Sequence, residues 1–191
     1  MPRFDRALAA RALERARAQA DVVVVSMHWS HDYVERPMIV QRELARWLVE
    51  AGADVILGHG AHVLQEVEPL ESPRGDAVCA YSLGNLVSNQ GLRWAPGRRQ
   101  PEGVHPAVAS PQTRDGAWLR ARFVLEGERL RIEALEAVPL WTHNNYLRVA
   151  LREEPRLDIR VRPLRAAEDA VREARRPAIE RALGPAVRLV D

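Results

Sequence analysis

Four consecutive valines, Val22 to Val25, head the stretch DVVVVSMHW and constrain the fold more than any other feature of the chain. A β-branched run of this length suits a strand with both faces covered, which places it at the centre of a sheet. Pro37 opens a helix in which Val40, Leu44, Trp47, Leu48 and Ala51 share one face, and Gly52 stops it. ADVILGH follows as a second apolar strand. Strand, helix and strand with a short return make a βαβ unit, so the two strands run parallel and their carboxyl ends point the same way. Sheets of this class hold their ligands at those ends.

The flanking sequence adds simpler elements. Asp5 caps a helix through about Ala20, with Leu8, Ala12, Leu13 and Ala16 as its buried stripe. LQEVEPLES and DAVCAYSLGN flank the turn PRG and read as an antiparallel pair. Residues 91 to 112 carry Pro96, Pro101, Pro106 and Pro111 with little periodicity, the pattern of a long loop of the kind that often serves as a lid. GAWLRARFVLEGERLRIEALEAVPL alternates around EGER as a second hairpin, and RLDIRVRPL gives a short strand. The tail from about 165 to 184 is helical, interrupted or restarted at Pro177.

Composition removes several function classes. With 191 residues, 47% hydrophobic and 28% charged, the chain suits one globular domain. All 28 basic residues are arginine, dispersed among Asp and Glu to a net charge of +2, and no concentrated basic face marks a nucleic-acid partner. The single cysteine, Cys79, lies in an apolar strand and excludes an internal disulfide. No apolar run approaches the ~20 residues of a membrane span. The first twenty residues form a charged helix rather than a signal peptide.

Candidate chemistry gathers at three strand ends. His28 follows the first strand, His59 and His62 follow the second within GHGAHVLQ, and Asn85 follows YSLG. Imidazole is a common neutral ligand for Zn, Mn or Fe, and Asn adds an oxygen for a metal or a substrate group. Taken singly, each histidine reads better as a hydrogen-bonded structural residue; together, a metal site stands level with that plain reading. His31 is a weaker candidate in a loop, and His105 and His143 read as structural or surface residues. Ser26 and Ser82 read as buried hydroxyls. The chain holds no nucleophile elbow, no phosphate-binding loop, no H-E-x-x-H and no G-x-G-x-x-G.

These stretches, ADVVVVSMHWSHDY, QRELARWLVEAGADVILGHGAHVLQEVE and AYSLGNLVSNQ, resemble the CapA family of capsule synthesis or poly-γ-glutamate biosynthesis proteins, relatives of the calcineurin-like metallophosphoesterases. The core of the resemblance covers residues 21–90, with a looser match over 113–145. On that match His28 corresponds to the histidine of an H-W-G motif, His59 and His62 to the paired histidines of the second motif, and Asn85 to the asparagine of Y-S-L-G-N-F. Ser30, Gly60-Ala61 and Leu86 depart from the family pattern without removing a candidate ligand.

The resemblance implies an α/β fold, the C-terminal part of a metallophosphatase-like α/β/β/α sandwich with mixed sheets. It implies a role in capsule or poly-γ-glutamate synthesis or export, with a metal-dependent hydrolase site holding Mn, Fe or Zn, two ions in the full-length protein. His28, His59 and His62 would be metal ligands, and His28 and Asn85 catalytic residues. The expected partners are an anionic polymer such as poly-γ-glutamate or a phosphoester, membrane-bound capsule synthesis proteins, and the missing N-terminal half or a second copy. Family members open with a Gly-Asp strand and further Asp and Asn motifs that nothing here matches, so the chain reads as the histidine half of the site, inactive alone. If acidic ligands came from within, Asp32, Glu35 and Asp54 would be the first to consider. The rival class is a non-catalytic polymer- or partner-binding component.

Overall fold

A computed structural model of the protein describes residues 4–29, 31–99 and 102–191; Ser30, at the first departure from the family pattern, and Gln100 and Pro101 in the long loop lie outside them. The fold is mixed α/β. Helix α1 (Arg6–Arg17) leads into β1 (Val24–His28), α2 (Ile39–Glu50) and β2 (Val55–His59). Strands β3 (Val67–Ser72), β4 (Gly75–Ala80), β5 (Asp115–Glu126) and β6 (Arg129–Asn144) follow, with the single-turn helix α3 (Pro106–Ala109) before β5. The chain closes with α4 (Tyr146–Ala150), β7 (Ile159–Pro163), α5 (Asp169–Leu183) and the two-residue β8 (Arg188–Leu189). One eight-stranded mixed sheet results, ordered β1-β2-β4-β6-β5, with β3 on β4 and β7 and β8 on β6.

The βαβ unit forms as its sequence dictates. β1 and β2 are parallel and paired from Val24 with Val55 to His28 with His59. β3 with β4 and β5 with β6 form antiparallel hairpins. β4 meets β6 through the pair Gly75–Leu130, the bridge Gly84–Gly116 joins the segment after β4 to β5, and a common core fills the space beside them. Val67, Val78 and Ala80 share that core with Ala117, Leu135, Ala137 and Trp141 and with Ile179 and Leu183 of α5. A second core packs Leu13 of α1 and Leu48 and Val49 of α2 against Ile56 and Cys79.

Four expectations are corrected. The valine run is not central: β1 is the edge strand, and Val24 is 54% exposed because no described element covers its side of the sheet. Among the stripe residues of α1 only Leu13 is buried, while Leu8 is exposed, because α1 touches the sheet along one narrow line. Val40 is likewise exposed on the first turn of α2, before that helix reaches the core. Helix α5 passes through Pro177 as one element. Proline removes only one backbone donor there, and its exposed position leaves the freed carbonyl to water.

The long loop is tied down in part. Gly91 N–H donates to Ala107 O at 2.7 Å and Arg93 N–H to Val108 O at 3.0 Å, and Trp94 packs edge-on against Trp141.

Asp54 has a structural role at the amino end of β2. Its side chain is 2% exposed, pairs with Arg17 and with Arg74 at 3.4 Å, and accepts the Val23 N–H at 2.7 Å. At ~3.3 Å per strand residue it stands about 16 Å from His59, so it cannot serve a site at the carboxyl ends.

Candidate functional site

The parallel register places His28 and His59 side by side at the carboxyl ends of β1 and β2, both exposed. Trp29 N–H donates to His59 O at 2.7 Å, which carries the pairing one residue past β1. Gly60 allows the chain to turn beneath the His28 ring. Its φ is +104°, and a Cβ there would lie 2.2 Å from Trp29 O and 3.0 Å from His28 Nε2. Only glycine fits both the conformation and the space. His59 Nε2 lies 3.1 Å from Ser26 Oγ, so Ser26 is an exposed partner of the site rather than a buried hydroxyl. Ser82 is buried, as expected.

His62 is held differently. It takes a left-handed conformation, φ +58°, unusual for a residue with a Cβ and therefore strained. Its Nδ1 lies 3.0 Å from Asn85 Oδ1. The Asn85 amide nitrogen faces His62 O at 3.2 Å, Thr113 O at 2.9 Å and Gln90 Oε1 at 3.1 Å. Three acceptors around that nitrogen fix the amide orientation, so Oδ1 accepts and His62 Nδ1 carries the proton. The lone pair of His62 then sits on Nε2, the form an imidazole needs to bind a metal or accept a proton. Asn85 is in this structure an orienting residue for His62.

Tyr33 completes the arrangement, and sequence reading missed it. It is also left-handed at φ +61°, its N–H donates to Ala61 O at 2.8 Å, and its ring stacks on His62 with centroids 5.7 Å apart. Gln90 Nε2 donates to its hydroxyl at 3.3 Å, and His105 stands edge-on to it at 5.2 Å. No periodicity marks Tyr33, because it lies in a loop and its role arises from two turns meeting. His105, expected at the surface, is exposed yet reaches the site through this ring.

The fit to a metal is partial. The neutral imidazoles are suitable donors, with the tautomer of His62 set by an outer partner as metal ligands commonly have. Among the described residues, however, no three His, Cys, Asp or Glu side chains form a group that could hold an ion. His28 and His59 form one pair, and His62 belongs to the Asn85–Tyr33 cluster. Asp32 is exposed without joining such a group, Glu35 accepts from Gln112 at 3.1 Å, and Asp54 stands at the wrong end of β2.

His143 lies apart from these residues, on β6. Burial first, and then the Arg162 guanidinium beside its ring, hold its pKa below the ordinary 6.5, against the opposing pull of Asp158. Because the folded pKa is depressed, the unfolded state binds more protons between the two values. The contribution of His143 is therefore fully present above about pH 6.5 and is lost as pH falls through the folded value. We expect H143Q to flatten the fall in melting temperature between about pH 7 and pH 5. An unchanged slope would exclude this residue as its source. Cys79 is fully buried, and burial pushes its thiol up, away from reactivity.

Residues 2–90 match the family model described as bacterial capsule synthesis protein PGA_cap. The PGA biosynthesis protein CapA of Bacillus subtilis (strain 168) is 48% identical over 79 residues, 41% of this chain and 20% of the relative. The capsule biosynthesis protein CapA of Bacillus anthracis is 41% identical over 81 residues, 42% of this chain and 19% of the relative. The match thus spans about a fifth of the length of these curated relatives. The stretch matched by the family model contains His28, His59, His62 and Asn85, and over residues 2–90 the chain is similar to the bacterial capsule synthesis family.

Proposed function

We propose that the protein works in capsule or poly-γ-glutamate synthesis or export, and that His28, His59 and His62 supply the nitrogen half of a divalent-metal hydrolase site. The observation that carries this reading is the side-by-side placement of His28 and His59 at parallel strand ends, with the His62 tautomer set by Asn85. A bound Mn, Fe or Zn ion would act there as a Lewis acid on a phosphoryl or acyl oxygen and activate water. The chain's own part is to present lone pairs, to hold the proton on His62 Nδ1, and to orient that ring between Asn85 and Tyr33. Carboxylates from outside the described residues complete the ligand set, because imidazoles alone bring no negative charge to offset a divalent ion. The uncovered edge and face of β1 provide the place for such a partner, whether another segment of the protein or a second copy. A membrane-bound protein of the capsule machinery is a further partner on this reading.

Calorimetric titration with Zn²⁺ or Mn²⁺, run with an assay of a generic phosphoester, tests the proposal. The expected result is weak binding by the chain alone, abolished in H28A and H59A, without turnover. Tight stoichiometric binding with unaided hydrolysis would overturn the half-site reading. Binding unaffected by either substitution would favour the second reading, a polymer- or partner-binding component without chemistry.

A further inference from the structure

We propose that a tetrahedral dianion, inorganic phosphate or the phosphoryl group of a larger molecule, binds between Arg114 and Arg162 on the sheet face that carries Trp141. The site uses none of His28, His59 and His62 and does not rest on the hydrolase reading. Strand register builds it. Trp141 of β6 stands opposite Asp115 of β5 and Arg162 of β7, and His143 stands opposite Arg160, so these five side chains share one face. Arg114, immediately before β5, lays its guanidinium over the Trp141 ring at 4.2 Å. Its Nε donates to Thr142 O at 2.8 Å, and the residue is only 5% exposed. Arg162 Nη2 donates to His143 Nδ1 at 3.3 Å, while its Nε is buried without a hydrogen-bond partner.

The neighbouring carboxylates leave both guanidiniums uncompensated. Asp115 is taken by Arg175, and Asp158 by Arg160 at 2.5 Å, with the His143 ring 3.6 Å from the same oxygen. Glu35, the other carboxylate acting on Asp115, accepts from Gln112. Among the described residues no ion pair engages Arg114 or Arg162, and neither Nη of Arg114 nor Nη1 of Arg162 has a hydrogen-bond partner. Burial lowers the Arg114 pKa to about 10, against the pull of Asp115 and with the push of the Arg162 guanidinium, so the two like charges act on each other. Both remain charged at neutral pH. A buried donor without an acceptor and two like charges at close quarters are each costly, and one bridging anion removes both costs. Two unpaired guanidiniums call for two negative charges, and their free N–H groups for more acceptors than the two oxygens of a carboxylate. A tetrahedral dianion provides both.

Titration of metal-free protein with inorganic phosphate tests this, at constant ionic strength and about pH 7.5, where phosphate is mostly dianionic and His143 neutral. Calorimetry and the Arg162 Nε–H resonance follow the binding. The expected result is one phosphate per chain, with that resonance shifting along the same curve. R162Q should bind at least about tenfold more weakly, because charge-assisted contacts are lost. R162K should not restore binding, since an ammonium lacks the paired donors of a guanidinium. R122Q, an exposed arginine on β5 outside the site, should bind as the wild type does. Near-UV circular dichroism checks that each variant is folded, and the resonance reads the wild type whatever the variants do. Glycerol phosphate separates the two sources: binding tighter than that of inorganic phosphate assigns the site to a phosphoryl group on a larger molecule, and binding no tighter assigns it to the free ion. An Arg162 resonance that does not move, undiminished binding in R162Q, or an equal loss in R122Q would overturn the proposal. So would acetate binding as tightly as phosphate, or loss of phosphate binding in H28A, which would place the ion at the histidines instead.

Discussion

Replacing Arg175 by alanine is expected to cost about 3–5 kcal/mol and to lower the melting temperature by roughly 10 °C. Arg175 lies on α5 and reaches Asp115 at the start of β5, with Nη2 to Oδ2 at 2.5 Å and Nε to Oδ1 at 3.2 Å. The side chains are only 8% and 4% exposed. Burial pushes the Asp115 carboxyl up, against the downward pull of Arg175, so desolvation outweighs the attraction. The pair therefore contributes little by itself, while loss of one partner strands the other charge in the core. The sign with pH follows. An acid with a raised folded pKa loses stability as pH rises through that value, and removing Arg175 raises it further. The deficit of R175A should accordingly be smaller at pH 5 than at pH 7. The double variant D115L/R175M should recover most of the loss, because two apolar groups leave no orphaned charge. Chemical denaturation of the wild type, R175A and the double variant measures all of this. A double variant no more stable than R175A would show that the pair is worth more than its desolvation cost.

Gly58 is the second position where a small change should have a large effect. It sits in β2 beside Met27, and a Cβ added there would lie 2.0 Å from Tyr81 O and 2.2 Å from Trp29 Nε1. Those two atoms share a buried hydrogen bond of 2.9 Å, which ties the segment after β1 to the segment after β4 across β2. G58A must break that bond or push the strands apart, since one of the clashing atoms is backbone. We expect a loss of about 3 kcal/mol and displacement of His28 and His59, which flank Trp29 and Gly58 in the chain. The Trp29 indole N–H resonance reports the bond directly. Trimming the ring in G58A/W29F should restore only part of the loss, because the Tyr81 carbonyl remains in the way. Full stability in G58A would mean that the strand ends are looser than this packing implies.

How far the sequence predicted this arrangement depended on whether a feature was local. The parallel β1–β2 pair followed from Val22–Val25, the α2 face and Gly52, all within one βαβ unit. The Asp5 cap formed as read, its carboxylate accepting the Leu8 N–H at 3.0 Å. Edge or centre was not legible, because a valine run records only that a strand is apolar, and the order of strands is set by pairings distant in sequence. The site divides in the same way. His28, His59, His62 and Asn85 stood out by their places after strands. Tyr33, Gln90 and Thr113 did not, since their roles come from three loops converging on one imidazole. Asp54 was legible as a carboxylate near His59 in sequence, but strand geometry sets it at the other end of β2.

The central claim is that the imidazoles at the ends of β1 and β2 bind a divalent ion as part of a larger ligand set. X-ray absorption at the zinc edge, on protein loaded with substoichiometric Zn²⁺, tests it most directly. The account predicts imidazole nitrogen scatterers at about 2.0–2.1 Å, reduced in H28A and in H59A, with the remaining positions filled by solvent oxygen. A zinc environment without imidazole scattering, or one unchanged by both substitutions, would contradict it.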